Sequence, residues 1–366
     1  MRIVFDHQIF TTQEYGGISR YFFELADNIA KAQEADVRIV SPLYVNSYLK
    51  SAPRPLQITG TKVPAIRRTG RLYRALNRAL ARPLARHYHP DLVHETYYSS
   101  LAMAPKECKV VLTVFDMIHE RFGDYFAPHD TTSKDKAAAV KRADHVICIS
   151  EHTRQDLMSI LGVPPEKMSV IHLGFSLSKT APQLVQGNSR PFLLHVGGRG
   201  GYKNFEGLLK AYAATSGLQQ NYDLIAFGGG PFTTQESEFI RLLGIPAEKI
   251  RYMTGDDAVL GGLYRNAAVF VYPSLYEGFG IPPLEAMSFD CPVVCSNAGS
   301  IPEVVGDAAI LVDPALPEMM GRAIEAALFD SLTRLSLIER GRERLKRFSW
   351  EVCARQTMDV YRRVLS

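Results

Sequence analysis

Short, β-branched apolar runs alternate with helical patterns along nearly all of this 366-residue chain, in two separate series. Parallel strands need long crossover connections, and helices are the usual way to supply them, so this alternation predicts parallel sheets covered by helices. The first series places strands at Arg2–Phe5, Val37–Val40, Leu92–His94, Val110–Phe115, His145–Ile149 and Val170–His172. The second places them at Phe192–Val196, Leu224–Phe227, Arg251–Met253, Val269–Tyr272, Val293–Cys295 and Ile310–Val312. Between them, residues 176–190 are polar, contain Pro182 and Gly187 and precede a fresh strand, which marks a linker. The expected fold class is α/β: two Rossmann-like, doubly wound domains of similar size, residues 1–175 and 191–347, facing a central cleft. The length suits two domains.

Composition narrows the class. Apolar residues at 46% and charged residues at 22% suffice for full-sized cores. No apolar run is long enough to span a bilayer, and Met1 to Asp6 read as a first strand and not as a signal peptide. The five cysteines are scattered, and Cys291 and Cys295 lack the partners of a zinc site, so free thiols in a reducing cytoplasm are expected.

The net charge of +4 is mild, but Lys62 to Arg86 holds eight cations and no acid. Within it Arg74, Arg78 and Arg82 recur at i+4 on one face and Leu72, Leu76 and Leu80 on another, with Pro83 expected to end or bend the helix. Two readings stand: a helix lying on an anionic membrane or guiding a lipid-diphosphate-linked glycan, or a solvated helix packing its leucines on the first domain. No aromatic platform or nucleic-acid motif accompanies the arginines, so no nucleic acid is expected as a partner.

Two segments carry chemistry. In Val196-Gly197-Gly198-Arg199-Gly200-Gly201-Tyr202-Lys203-Asn204 a strand ends, a glycine-rich turn follows and a helix is expected from about Asn204 to Tyr212. Glycines admit an anion close to the backbone, free amides at a helix start attract it, and Arg199 and Lys203 add cations; a diphosphate is the expected guest. The third glycine of a dinucleotide-binding turn is missing. In the second segment Glu277 follows a strand end, Gly278-Phe279-Gly280 form a loop, and Pro282 and Pro283 suit a first helical turn, whose amides need no internal partner. Glu285 is placed in that opening turn. Carboxylates accept charge-assisted hydrogen bonds from sugar hydroxyls, and the amides of Phe279, Gly280 and Ile281 are candidates for further contacts.

The stretch from Phe227 to Pro314 resembles the C-terminal domain of retaining GT-B glycosyltransferases, family four. The likeness lies in Phe227-Gly228-Gly229-Gly230-Pro231, Leu263-Tyr264, the E-x7-E pair Glu277 and Glu285, Pro292-Val293-Val294, and Ser300 through Ala309. Weaker similarity extends to Gly16 through Tyr21, Ser150 through Thr153 and Phe348-Ser349-Trp350. The resemblance implies a GT-B fold whose donor is a GDP- or UDP-linked sugar and whose acceptor binds the N-terminal domain. It also implies that residues 348–366 form a helix packing back toward that domain. By the same resemblance Glu285 holds the donor ribose, Glu277 the transferred sugar or its phosphate end, and Arg199 and Lys203 the leaving diphosphate. Gly16, Gly17 and Gly198 lend backbone contacts, and Met253-Thr254-Gly255 meets the nucleobase.

Three departures are visible. Arg199 lies closer to Lys203 than the family's arginine does to its lysine. Phe115 stands where many members carry a sugar-contacting histidine, which makes Asp116 and His119 the candidates for sugar or acceptor contact. Asp290 replaces a common glycine. No two aspartates are separated by a single residue, so the Asp-x-Asp metal motif is missing and neither metal nor cofactor is expected. The reading is a hexosyltransferase, mannose being one candidate sugar, acting in cell-surface polysaccharide or lipopolysaccharide assembly from the cytoplasmic side of the membrane. A GT-B epimerase or phosphorylase, or a catalytically weak nucleotide-sugar-binding protein, is the alternative.

Overall fold

The computed structural model describes residues 1–66, 69–176 and 190–366. The expected linker falls almost wholly on residues 177–189, outside that range, as do Arg67 and Arg68 of the basic run. The chain divides into two compact units, Met1–Gly174 with Phe348–Ser366, and Phe175–Arg347.

The first unit is built on β1 (Arg2–Phe5), β2 (Asp36–Tyr44), β3 (Gln57–Lys62), β4 (Leu92–Glu95), β5 (Lys109–Val114), β6 (His145–Cys148) and β7 (Met168–Val170). They form one parallel sheet in the order β3-β2-β1-β4-β5-β6-β7. Its central strands are buried along both faces, as helices covering both sides of a parallel sheet require.

β3 escaped the sequence pattern because Gln57-Ile58-Thr59-Gly60-Thr61-Lys62 is polar and lies at a sheet edge. Its pairing with β2 shifts register between Val40 and Leu43, where Pro42 interrupts the ladder. Gly60 passes there at φ +146, so close that a Cβ would meet the Ser41 carbonyl oxygen. β7 begins two residues earlier than expected; Met168 pairs with Val146, and Ile171 contributes only a hydrogen bond from its amide to the Cys148 carbonyl at 2.9 Å.

The basic run forms a helix, Gly70–His87, which continues through Pro83 instead of ending there. Its buried face is narrow and made of Asn77, Ala81 and Ala85. Asn77 accepts from the Leu43 amide at 2.9 Å and donates to Thr11 Oγ1 and the Leu43 carbonyl, both at 2.7 Å. Leu72, Leu76 and Leu80 are 57%, 41% and 47% exposed, so the reading in which they pack on the first domain is corrected. Small residues and one asparagine let the helix lie close to the sheet, and the leucines stay outside.

The second unit carries β8 (Phe192–Val196), β9 (Asp223–Phe227), β10 (Ile250–Met253), β11 (Val269–Tyr272), β12 (Val293–Ser296) and β13 (Ile310–Val312). These are parallel in the order β10-β9-β8-β11-β12-β13. Leu193, Leu224, Val269 and Val294 share a core with Phe205, Leu208 and Tyr212 from the helix Phe205–Ala214. Asp290 adopts a left-handed φ of +58, which explains why a glycine serves this position well; its carboxylate receives Arg342 Nε and Nη2 at 2.7 and 2.6 Å.

The last helix, Trp350–Leu365, is started by Ser349, whose Oγ accepts from the Val352 amide at 3.1 Å. It packs within the first unit, where Trp350 sits against Gly174; a Cβ on that glycine would fall 2.4 Å from the indole. Deeper in, fully buried His94 of β4 joins Tyr361 Oη through Nδ1 at 2.6 Å and Thr113 Oγ1 through Nε2 at 2.8 Å. Burial lowers the His94 pKa from 6.5 to about 3, so the ring is neutral in the folded state. A folded-state value below the unfolded one confers stability that is complete above pH 6.5 and lost as pH falls toward 3. We therefore expect the urea midpoint to drop more steeply across that window in the native chain than in a His94→Gln variant; parallel profiles would refute it.

Candidate functional site

In both units the loops that follow the strands gather at the carboxyl edge of the sheet, and open parallel sheets bind ligands where the strand order reverses. In the second unit that point lies between β8 and β11. The loop after β8 holds Lys203 and the loop after β11 holds Glu277, and the two side chains meet there at 2.7 Å, Nζ to Oε1. Glu277 is buried and Lys203 partly so. The Lys203 ammonium also stands over the Tyr202 and Tyr272 rings, at 5.2 and 5.8 Å. Tyr272 has its phenol pKa pushed well up, by burial first and then by the Glu277 carboxylate.

Backbone bonds hold this pair in place. The Leu275 amide donates to the Tyr202 carbonyl at 2.7 Å, and Asn204 Nδ2 donates to the Pro273 and Pro314 carbonyls, both at 3.0 Å. Asn204 has a left-handed φ of +53 and follows a 3-10 turn, Gly201–Lys203, so the helix starts at Phe205, one residue later than expected. From the other side Ser300 Oγ donates to the Glu277 and Phe279 carbonyls at 2.9 and 2.8 Å. Gly299, at φ +62, comes so near the Glu277 backbone that a Cβ would sit 2.9 Å from its nitrogen.

Glu285 lies on the helix Ile281–Ser288, whose first turn contains Pro282 and Pro283 and which Gly280 precedes at φ +111. It is the fifth residue of that helix and so stands past the opening turn where the sequence placed it. Its Oε2 accepts from Tyr264 Oη at 3.0 Å. Phe279 is buried beneath the loop. Met253 closes β10, its carbonyl accepting from the Gly228 amide at 2.9 Å, and Thr254 follows it exposed. Gly198 is exposed, and a Cβ there would meet nothing.

Arg199 requires a correction. Its guanidinium is buried and engaged: Nε with Glu236 Oε1 at 2.7 Å, Nη1 with the Gly228 carbonyl at 2.7 Å, and Nη2 with the Pro231 carbonyl at 3.0 Å. It lies over the Phe232 ring at 4.9 Å. Arg199 thus braces Gly228-Gly229-Gly230, three successive left-handed glycines, where a Cβ on Gly229 would fall 2.7 Å from Nη1. Glu236 also closes the capping box of the helix Thr234–Leu242. The charge of Arg199 is thus engaged within the second unit, and of the two expected cations Lys203 is the one that stands beside Glu277.

Gly16, Gly17, Asp116 and His119 lie in the first unit and are not brought together with these residues by any contact within the second. Gly16 precedes the helix Gly17–Ala32; the Arg20 amide donates to its carbonyl at 2.9 Å and Gln13 Oε1 accepts from the Ser19 amide at 3.2 Å. Phe115, after β5, is buried and packs against Tyr21 and Phe22 with ring centroids at 5.3 and 5.8 Å. Asp116 Oδ1 accepts from the Ile118 amide at 3.0 Å. Buried Lys136 secures this loop, donating to the Asp116 carbonyl at 2.8 Å and to Glu120 Oε2 at 2.7 Å. His119 stacks on Phe126 at 3.9 Å, and its Nε2 lies 4.0 Å from Asp130 Oδ2.

Sequence reasoning named Asn204 and Tyr264 without giving them a role in the site, and it missed Glu236. Asn204 carried a usable signal, a polar residue at the start of an apolar helix pattern. The bonds from Tyr264 to Glu285 and from Glu236 to Arg199 join residues 21 and 37 positions apart, which no local pattern discloses.

Residues 15–179 match the family model described as Glycosyltransferase Family 4, and residues 179–344 match Glycosyl transferases group 1. The O-antigen chain mannosyltransferase B of Escherichia coli is 29% identical, over 94% of this chain and 96% of that protein. The MMP alpha-(1->4)-mannosyltransferase of Mycolicibacterium hassiacum is 30% identical over 62% of this chain and 56% of its own. Among solved structures, sucrose-phosphate synthase from Thermosynechococcus elongatus superposes with a TM-score of 0.72 at 22% identity, over 99% of this chain and 98% of its own. HepE from Anabaena, solved in complex with UDP and glucose, gives 0.70 at 17% identity over 99% of each chain. With two parallel-sheet Rossmann-like units and family matches running from residue 15 to residue 344, the chain belongs to the GT-B glycosyltransferases of family four.

Proposed function

We propose that the chain is a configuration-retaining hexosyltransferase that uses a GDP- or UDP-linked sugar, mannose being favoured by its relatives, in cell-surface polysaccharide or lipopolysaccharide assembly. The observation that carries this reading is the Lys203–Glu277 pair at the strand-order reversal of the second unit. An ammonium held there supplies charge for a leaving diphosphate, and the neighbouring carboxylate accepts from a sugar hydroxyl. Glu285, oriented by Tyr264, is assigned to the ribose. Gly198, the amides of Phe279, Gly280 and Ile281, and Met253 and Thr254 are assigned to the remaining donor contacts by the family resemblance, the last two to the base. Gly16, Gly17, Asp116 and His119 enter through the family resemblance alone.

In the reaction the acceptor oxygen bonds to the anomeric carbon as the bond from that carbon to the diphosphate oxygen breaks. The diphosphate departs with the electron pair and takes the acceptor's proton, so no enzymic nucleophile is needed. Lys203 meets charge that grows on the leaving group, and a donor worth about 3 kcal/mol in the transition state corresponds to roughly 100-fold in rate. The missing Asp-x-Asp motif favours turnover without a divalent metal. The exposed leucines and the cations of the helix Gly70–His87 favour a position at the inner, anionic membrane face, with the chain otherwise cytoplasmic. Among the described residues no helix is long and apolar enough to cross a membrane.

A thermal-shift screen with UDP, GDP and ADP, then with their sugar conjugates, identifies the donor. With that donor and its acceptor, Lys203→Ala and Glu277→Gln are each expected to lower nucleoside-diphosphate release about 100-fold in chains that circular dichroism shows to be folded, with a lower melting temperature because each change leaves the partner group unpaired. Turnover equal to the native rate in both variants would remove the assignment. The reaction is expected to proceed undiminished in EDTA; loss of activity restored by a divalent cation would show that a metal carries the phosphate charge. Co-sedimentation with vesicles containing phosphatidylglycerol is expected to fall when Leu72, Leu76 and Leu80 are changed to Ser, and unchanged binding would place the helix away from lipid.

A further inference from the structure

The first unit has its own strand-order reversal, between β1 and β4, and a cavity of about 500 Å³ opens there. That volume holds a sugar ring together with a phosphate or diphosphate. His7, just after β1, lines it with Tyr97 after β4, Arg74 and Arg78 from the helix Gly70–His87, and Lys134 and Asp135 from the helix Thr132–Arg142.

Three features fit an anion. Arg74 and Arg78 stand one helical turn apart on the same face, flanking Asn77, which fixes that face to β2. Neither makes an ion pair among the described residues, whereas Arg86 of the same helix pairs with Glu107 at 3.2 Å. The acid in the wall is already engaged: Asp135 Oδ1 accepts from the Ser100 amide at 2.9 Å and Oδ2 from Thr131 Oγ1 at 2.8 Å. Asp6, next to His7, is likewise saturated by Thr96 and Gln8.

His7 belongs to the wall as a packing residue: its side chain is 97% buried, and its Nδ1 is enclosed by protein with no hydrogen-bond partner among the described residues. Burial lowers the imidazole pKa, Asp6 opposing the shift and Arg78 adding to it.

We infer that this cavity is the acceptor's anion subsite: Arg74, Arg78 and Lys134 bind a phosphate or diphosphate carried by the acceptor. The assignment rests on the reading of the chain as a glycosyltransferase and narrows its acceptor to a phosphorylated glycan or lipid. Paired arginines suit phosphate through their planar forks, which a single lysine does not reproduce.

The test is calorimetric titration of the full chain with inorganic pyrophosphate, a prenyl diphosphate and a hexose 1-phosphate, each with saturating nucleoside diphosphate so that the donor edge is filled. Binding of at least one probe is expected to weaken tenfold or more in the doubly substituted Arg74→Ala/Arg78→Ala chain and to recover partly with lysine at both positions. Both arginines are exposed, so folding is not at stake. Preference for the prenyl diphosphate assigns a lipid-linked acceptor and preference for the hexose phosphate a free phosphosugar; both uphold the subsite. Binding that is equal in the double variant, or that the nucleotide displaces, overturns it. If no nucleotide binds, the donor assignment fails separately, and the same titration in a Lys203→Ala chain still decides the cavity.

Discussion

An ammonium and a carboxylate 2.7 Å apart, at the one place in the second sheet where strand order reverses, set the terms for the rest of the unit. Taking both charges out of water is costly, and mutual attraction compensates only if the two are held in register. The surroundings are arranged to that end. Asn204 and the Leu275 amide fix the loops on either side of the reversal, while Ser300 and the close approach of Gly299 fix the Glu277 backbone. Disturbing any of these bonds shifts a charge, which accounts for an asparagine in a left-handed conformation and glycines at φ values other residues resist.

Much of the fold was legible because a parallel sheet covered on both faces demands continuous apolar strands, and twelve of them could be read directly. The missed strand, β3, is an edge: half its surface faces solvent, so its sequence is free to be polar and to carry a glycine. The helix Gly70–His87 also extends past Pro83 instead of ending there. Helix length was judged from propensity, whereas the packing of Ala81 and Ala85 on the first unit carries the helix past the proline.

The site was legible where chemistry and local pattern coincide and illegible where they part. Lys203, Glu277 and Glu285 sit in segments whose glycines and prolines announce a turn. Arg199 sits in such a segment too, but its buried charge is committed to Glu236 and three carbonyls of the second unit, a partnership visible only once β8 and β9 lie side by side. His7 offered no pattern at all; its place in a cavity wall is a property of packing and not of composition.

Tyr361 reaching His94 has a consequence for how the molecule is made. The second unit is continuous in sequence, whereas the first receives its last helix only after the whole second unit has been synthesised. Until then Tyr21 and Gly174 lack their neighbour Trp350, and one nitrogen of His94 lacks its partner. The nascent chain therefore carries an unfinished apolar surface through the synthesis of nearly half its length, which makes the first unit the part most dependent on protection from aggregation.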